Sequence, residues 1–157
     1  MIRALVVACA LALPAVAGAQ DITVVGLDGK AKTLTAAQLA DLPRGEVNRP
    51  YKGAVKRYEG PILTYILREA GAPGGAKMHG PVMMTYVVVR SADGFGAVLS
   101  LAEADKDFHD GVVILADTAD GAKLTGKEGP YRLLVAGDRK GSRSVYGANR
   151  IELKTAP

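Results

Sequence analysis

The sequence predicts one α+β domain of mixed β-sheets with a few short helices. Three observations lead there. Short apolar runs of strand length recur along the 157 residues, several joined by Asp-Gly turns at Asp28-Gly29, Asp93-Gly94 and Asp120-Gly121. Only a few segments carry helix caps, and these are short. No internal repeat or long linker divides the chain. The composition, 48% hydrophobic and 23% charged, is that of ordinary globular material rather than a disordered tail.

The first residues are read as a separate segment. "MIRALVVACALALPAVAGAQ" has one positive charge at Arg3, an apolar run from Ala4 to Leu13, and Ala17-Gly18-Ala19 at its end. That is the order of a secretory signal peptide, with cleavage expected after Ala19 and the domain expected over residues 20–157. The run is too short for a membrane span. The expected location is therefore periplasmic or secreted. Cys9 lies mid-run, not at a lipidation position, so the mature chain is expected to hold no cysteine and hence no disulfide, thiolate nucleophile or thiolate metal ligand. Removing Met1–Ala19 takes one arginine and lowers the formal charge from +4 to +3. This excess suits an anionic ligand, and no aromatic and basic RNA-binding signature accompanies it.

Along the mature chain, "ITVVGLDGKAKTL" reads as a hairpin about Asp28-Gly29. "TLTAAQLADLP" is a short helix, with Thr35 and Gln38 as a capping box and Pro43 as its stop. "NRPYKGAVKRYEG" is expected to be extended and to end in a turn. "GPILTYILREAGAPGG" is the clearest helix: Pro61 suits its first position, Ile62, Leu63, Ile66, Leu67 and Ala70 share a face, and Gly71 ends it. "PVMMTYVVVRSADGFGAVLS" reads as a long strand, an Asp93-Gly94 turn and a returning strand. Ser100 and Glu103 cap a short helix. "GVVILADTADGAKLT" is a strand with a turn, and "PYRLLVA" and "NRIEL" are the last strands.

The candidate chemistry is sparse. Neither His79 nor His109 has a histidine or carboxylate at the spacing of a helical zinc site. Met78, His79, Met83 and Met84 suggest a soft copper site, but Met83 and Met84 point to opposite faces of a strand, and core packing is the better reading. Ser100, Ser142 and Ser144 lack a G-x-S-x-G elbow. Arg132, inside the apolar run "PYRLLV", must snorkel, pair or face a cavity, unless it points outward from its strand. Between the last strands lies "AGDRKGSRSVYGANR", with four cations, Arg139, Lys140, Arg143 and Arg150, spaced by a glycine and serines.

The segments "SADGFGAVLSLAEAD" and "VVILADTADGAKLTGKEGPYRLLVAGDRKGSRSVYGANRIEL", with "YEGPILTYILREAGAP" upstream, together resemble the molybdopterin-binding domain of the sulfite-oxidase-type oxidoreductases. The resemblance covers Tyr58 to Leu153. It implies a sulfite-oxidase-like molybdopterin-binding fold. In the large enzymes of that family a cysteine ligates molybdenum, and a histidine precedes the "G-x-P-x-R" segment. Here no mature cysteine exists, and the stretch is "KEGPYR". Some small cysteine-free members of that family look like periplasmic pterin-binding proteins that report to membrane-bound cyclic-di-GMP enzymes, and the resemblance implies that role.

The resemblance places Asp93 at an aspartate facing the ligand and Arg132 on the family arginine. It places Gly141, Arg143, Ser144, Val145 and Tyr146 on the loop that wraps it. Many small members have tryptophan where this chain has Ser144; Tyr146, Tyr131 and Phe95 are the candidate replacements for that aromatic wall. A pterin fits these residue types. Its 2-amino and N3–H edge offers two parallel donors to a carboxylate such as Asp93, and a phosphate or polar tail would suit Arg132, Lys140 and Arg143. The expected ligand site is thus Asp93, Arg132, Lys140, Arg143, Ser144 and Tyr146 around one concavity, with no catalytic residue and no metal. The function implied is a non-catalytic pterin-binding module that senses its ligand and signals through a partner protein. The alternatives are a molybdenum-cofactor oxidoreductase, or a subunit of one, and a structural domain with a vestigial pocket. Export is directly testable: N-terminal sequencing of the protein from the periplasmic fraction is expected to begin at or near Gln20, and a full-length start would overturn it.

Overall fold

The computed structural model describes residues 20–157. The expected signal peptide, Met1–Ala19, lies outside the described residues. β1 (Ile22–Val25) and β2 (Ala31–Leu34) form the expected hairpin, and Ile22, Val24 and Leu34 are buried on one face. The Asp28 carboxylate accepts the Lys30 N–H inside the turn. α1 (Ala36–Ala40) carries the full Thr35–Gln38 capping box and buries Leu39.

The next stretch differs from expectation. β3 (Arg44–Tyr51) and β4 (Ala54–Pro61) form a long antiparallel hairpin, so the turn falls in the middle of the segment. Lys52 and Gly53 take φ of 49° and 83°, the two left-handed residues that a tight hairpin turn requires. Pro61 closes β4 instead of opening a helix. α2 (Leu63–Arg68) begins after Ile62 and buries Leu63, Ile66 and Leu67.

The strand expected from Pro81 begins later. Gly80–Met84 is a 3-10 turn, and β5 (Thr85–Ser91) follows, pairing with β6 (Gly96–Ser100). Met83 and Met84 are exposed, so core packing holds only for Met78. Ser100 and Glu103 make their reciprocal caps around a three-residue 3-10 turn, Ala102–Ala104. β7 (Val113–Ala116), the small hairpin of β8 (Thr118–Ala119) and β9 (Ala122–Lys123), β10 (Arg132–Val135) and β11 (Ala148–Thr155) complete the fold.

The strands sort into three layers. One sheet has the order β2-β1-β11-β5-β6, antiparallel except for the parallel pair β1–β11. A second has the order β3-β4-β8-β9. The β7–β10 pair lies between, and every residue of both strands is buried. Its alternation divides two cores. Val113, Leu115, Leu133 and Val135 face the five-stranded sheet, whereas Ile114, Ala116 and Leu134 join Val47, Tyr58 and Leu124 on the other side. A strand buried on both faces reads as a continuous apolar run, as "VVILA" and "RLLVA" do. The chain is therefore a single-domain α+β protein with mixed sheets and few helical turns.

Gly60 sets how closely β4 lies on this central layer. A Cβ there would sit inside van der Waals contact with the Leu115 carbonyl oxygen and 2.6 Å from Ala116 Cα. Both are backbone atoms, which cannot swing aside. Gly60→Ala is expected to destabilise the fold by about 2–4 kcal/mol, read as a lower denaturant midpoint; an unchanged midpoint would show that β4 and β7 can separate freely.

Candidate functional site

Arg132 opens β10 in the doubly buried layer, two residues before Leu134 and on the same face. Its side chain is 6% exposed, so its charge must be met inside the protein. Three separate segments do so, two of them distant in sequence. Nη1 donates to the Tyr58 hydroxyl at 2.7 Å and to Glu128 Oε1 at 2.8 Å, while Nε donates to Ser144 Oγ at 2.8 Å. Ser144 Oγ in turn donates to the Leu133 carbonyl at 2.8 Å. The chain after the basic loop runs antiparallel beside β10, with a bridge between Arg132 and Tyr146, so both side chains share a face. The guanidinium stacks 4.2 Å from the Tyr146 ring centre and 4.9 Å from that of Tyr58.

Glu128 holds the cluster's negative charge. Its Oε1 also accepts from Tyr58 at 3.3 Å, and its Oε2 accepts from Lys56 Nζ at 3.2 Å. Burial raises the pKa of the Tyr58 phenol above its ordinary value, so it remains a neutral donor. Burial is the largest single influence on Lys56 and acts against its charged form, but the bond to Glu128 together with the nearby charges of Glu128, Tyr58 and Asp120 outweighs it, and the ammonium is held above its usual range.

Arg143 has its own acids. It grips Asp138 with two bonds of 2.8 Å, and its Nη1 reaches Glu103 at 3.0 Å. These partners raise the guanidinium pKa, and the Arg143 bonds hold the Asp138 carboxyl below its usual range. Lys140 is exposed and has no ion pair among the described residues.

Asp93 sits in the β5–β6 turn. Its Oδ1 accepts from Ser91 Oγ and from the Phe95 N–H at 2.9 Å. The Ser91 bond is the main reason its carboxyl is held below the usual range, and Lys127 adds to the effect from across the fold. No hydrogen bond or ion pair joins Asp93 to Arg132 among the described residues. Its Oδ2 has no protein partner among the described residues.

The expected site residues therefore fall into parts. Arg132, Ser144 and Tyr146 form one constellation, Arg143 a second and Asp93 a third, with Lys140 at the surface. Tyr58, Glu128 and Lys56 belong to the first and were not expected. Of the proposed aromatic replacements, Tyr146 stacks on Arg132 and Phe95 is exposed in the Asp93 turn. Tyr131 instead lines a groove of about 780 Å3 with Arg44, Asp117 and Lys123, where burial pushes its phenol up to about 12. None of the expected site residues lines that groove.

No family model matches the chain. No curated protein matches it. A solved structure does: the sulfane dehydrogenase SoxCD from Paracoccus pantotrophus superposes with a TM-score of 0.65 at 21% identity. The match covers 87% of this chain and 39% of that one. At that identity the likeness concerns the fold, and this chain spans well under half of the matching chain.

The burial difference between the two arginines is measurable. Arg132→Ala leaves buried Tyr58 and Ser144 and partly buried Glu128 each short of a partner, and is expected to cost about 2–4 kcal/mol. Arg143, with its side chain 34% exposed, is expected to contribute about 1 kcal/mol or less. Equal losses by denaturant titration would contradict the burial argument.

Proposed function

We propose that this protein is a non-catalytic pterin-binding module, exported and acting through a partner protein. What supports the reading is a fold that superposes on a sulfane dehydrogenase, in a chain whose residues 20–157 contain no cysteine. The donor set does not fit a thiolate-ligated molybdenum centre. Cys9, the chain's one cysteine, precedes the domain, and no three His, Cys, Asp or Glu side chains gather as metal ligands among the described residues.

The residues suit a flat, polar heterocycle. Tyr146 offers an aromatic face already polarised by Arg132, and Asp93 offers a free carboxylate oxygen to a donor edge. Lys140, exposed on the basic loop, has no ion pair among the described residues. The ligand site in this reading is Asp93, Arg132, Lys140, Ser144 and Tyr146, with Arg143 holding the loop through Asp138. The partner, on the resemblance to small cysteine-free relatives, is the periplasmic domain of a membrane cyclic-di-GMP enzyme.

A second reading is an oxidoreductase, or a subunit of one, that holds molybdenum cofactor without a protein thiolate. The likeness to a dehydrogenase favours it.

One set of measurements separates the two. In the first reading the purified protein holds no stoichiometric molybdenum and binds a reduced pterin in a calorimetric titration. Asp93→Asn, which turns an acceptor into a donor facing a donor, is expected to weaken that binding about tenfold or more, while Lys30→Ala leaves it unchanged. About one molybdenum atom per chain would favour the enzyme. A wild-type protein that binds no pterin would leave a structural domain as the better account.

A further inference from the structure

The arginines that most resemble a phosphate cradle are already occupied by carboxylates of this chain. Glu128 bridges Arg132 and Lys56, and Asp138 with Glu103 covers Arg143. Glu128 is placed as an anionic ligand group would be: one oxygen takes Arg132 and Tyr58, and the other takes Lys56. Its side chain is 23% exposed, so this charge lies at the mouth of the cluster rather than beneath it.

We infer that Glu128 is an internal anion that selects against phosphorylated ligands, so that the site takes the uncharged, unphosphorylated form of a pterin. The inference rests on the pterin-binding reading and names the class of ligand within it. A phosphate approaching Arg132 and Lys56 would meet a carboxylate bound to the same donors. It would either displace that carboxylate, which breaks its contacts with Arg132, Tyr58 and Lys56, or lie against it with like charges in a partly desolvated place. A neutral hydroxylated tail pays neither cost. Arg143 gives no second route, because a bidentate aspartate already fills its fork.

The test uses the mature protein, Glu128→Gln and Glu128→Ala. The glutamine keeps shape and an acceptor oxygen while removing the charge; the alanine also opens space. Dihydroneopterin, dihydroneopterin monophosphate and inorganic phosphate are each titrated calorimetrically into all three, after circular dichroism confirms that each is folded. The wild type is expected to prefer the unphosphorylated pterin by roughly tenfold or more, since like charges are strongly disfavoured at close range. Both variants are expected to lose that preference and to gain a phosphate site that the wild type lacks. Wild-type binding of both pterins with equal affinity would overturn the inference. So would a variant that gains no affinity for inorganic phosphate. Because the phosphate arm needs no pterin, a variant that gains phosphate while no protein binds either pterin would support the role of Glu128 and refute the pterin reading.

Discussion

A charged guanidinium in a layer buried on both faces is the constraint around which this fold is arranged. The β7–β10 pair has no solvent side, so Arg132 cannot snorkel away from the core it enters. Its donors must be met by the chain, and the partners come from β4, from the turn before β10, and from the segment after the basic loop. Each partner fixes one element. Tyr58 can reach because Gly60 lets β4 lie directly on β7. Ser144 and Tyr146 can reach because their segment continues the central pair beside β10. The basic loop between β10 and Ser144 is thereby held at both ends, and Arg143 at its close grips Asp138 near its start and Glu103 outside it.

Much of this fold was legible in the sequence. The Asp-Gly turns, the Thr35–Gln38 box and the doubly buried runs all announce themselves, because each is a local pattern that needs few neighbours. The misses have physical causes too. Lys52-Gly53 turns a hairpin whose strands are polar, "EVNRPY" and "AVKRYE", so no alternation marked it as two strands. The left-handed lysine was no help, since only glycine and asparagine signal that conformation strongly. "GPVMM" is apolar enough to read as strand, yet it forms a 3-10 turn with Met83 and Met84 exposed; hydrophobicity alone does not fix burial.

The site was legible as a set of charges but not as a set of pairs. The cations of the loop pointed to an anionic ligand. The acids that answer them are Glu128, four residues from Arg132, and Asp138, five residues from Arg143, together with Glu103, forty residues away. Pairing of this kind has no periodicity to read. Arg132 was open between pairing and pointing outward, and only the two-faced burial of β10 decides it. Glu128 could have been noticed in "KEGPYR" as a departure from the family pattern that the sequence resembles, but its role depends on Tyr58 and Lys56, about seventy residues upstream.

Pairing also changes what a basic loop means. Counted as charges, Arg132, Lys140 and Arg143 make a strong anion trap. Counted after their partners, Arg132 shares Glu128 with Lys56, Arg143 faces two carboxylates, and only Lys140 of the three has no ion pair among the described residues. The local field is far weaker than the sequence suggests, and what remains distinctive is shape and hydrogen bonding: an arginine-backed tyrosine face and an aspartate with one free oxygen. Groups of these two kinds recognise a ligand by edge pattern and stacking rather than by net charge. In the pterin-binding reading proposed above, that is the recognition a neutral heterocycle requires, because the chain's own acids hold the arginines that a phosphate would otherwise use.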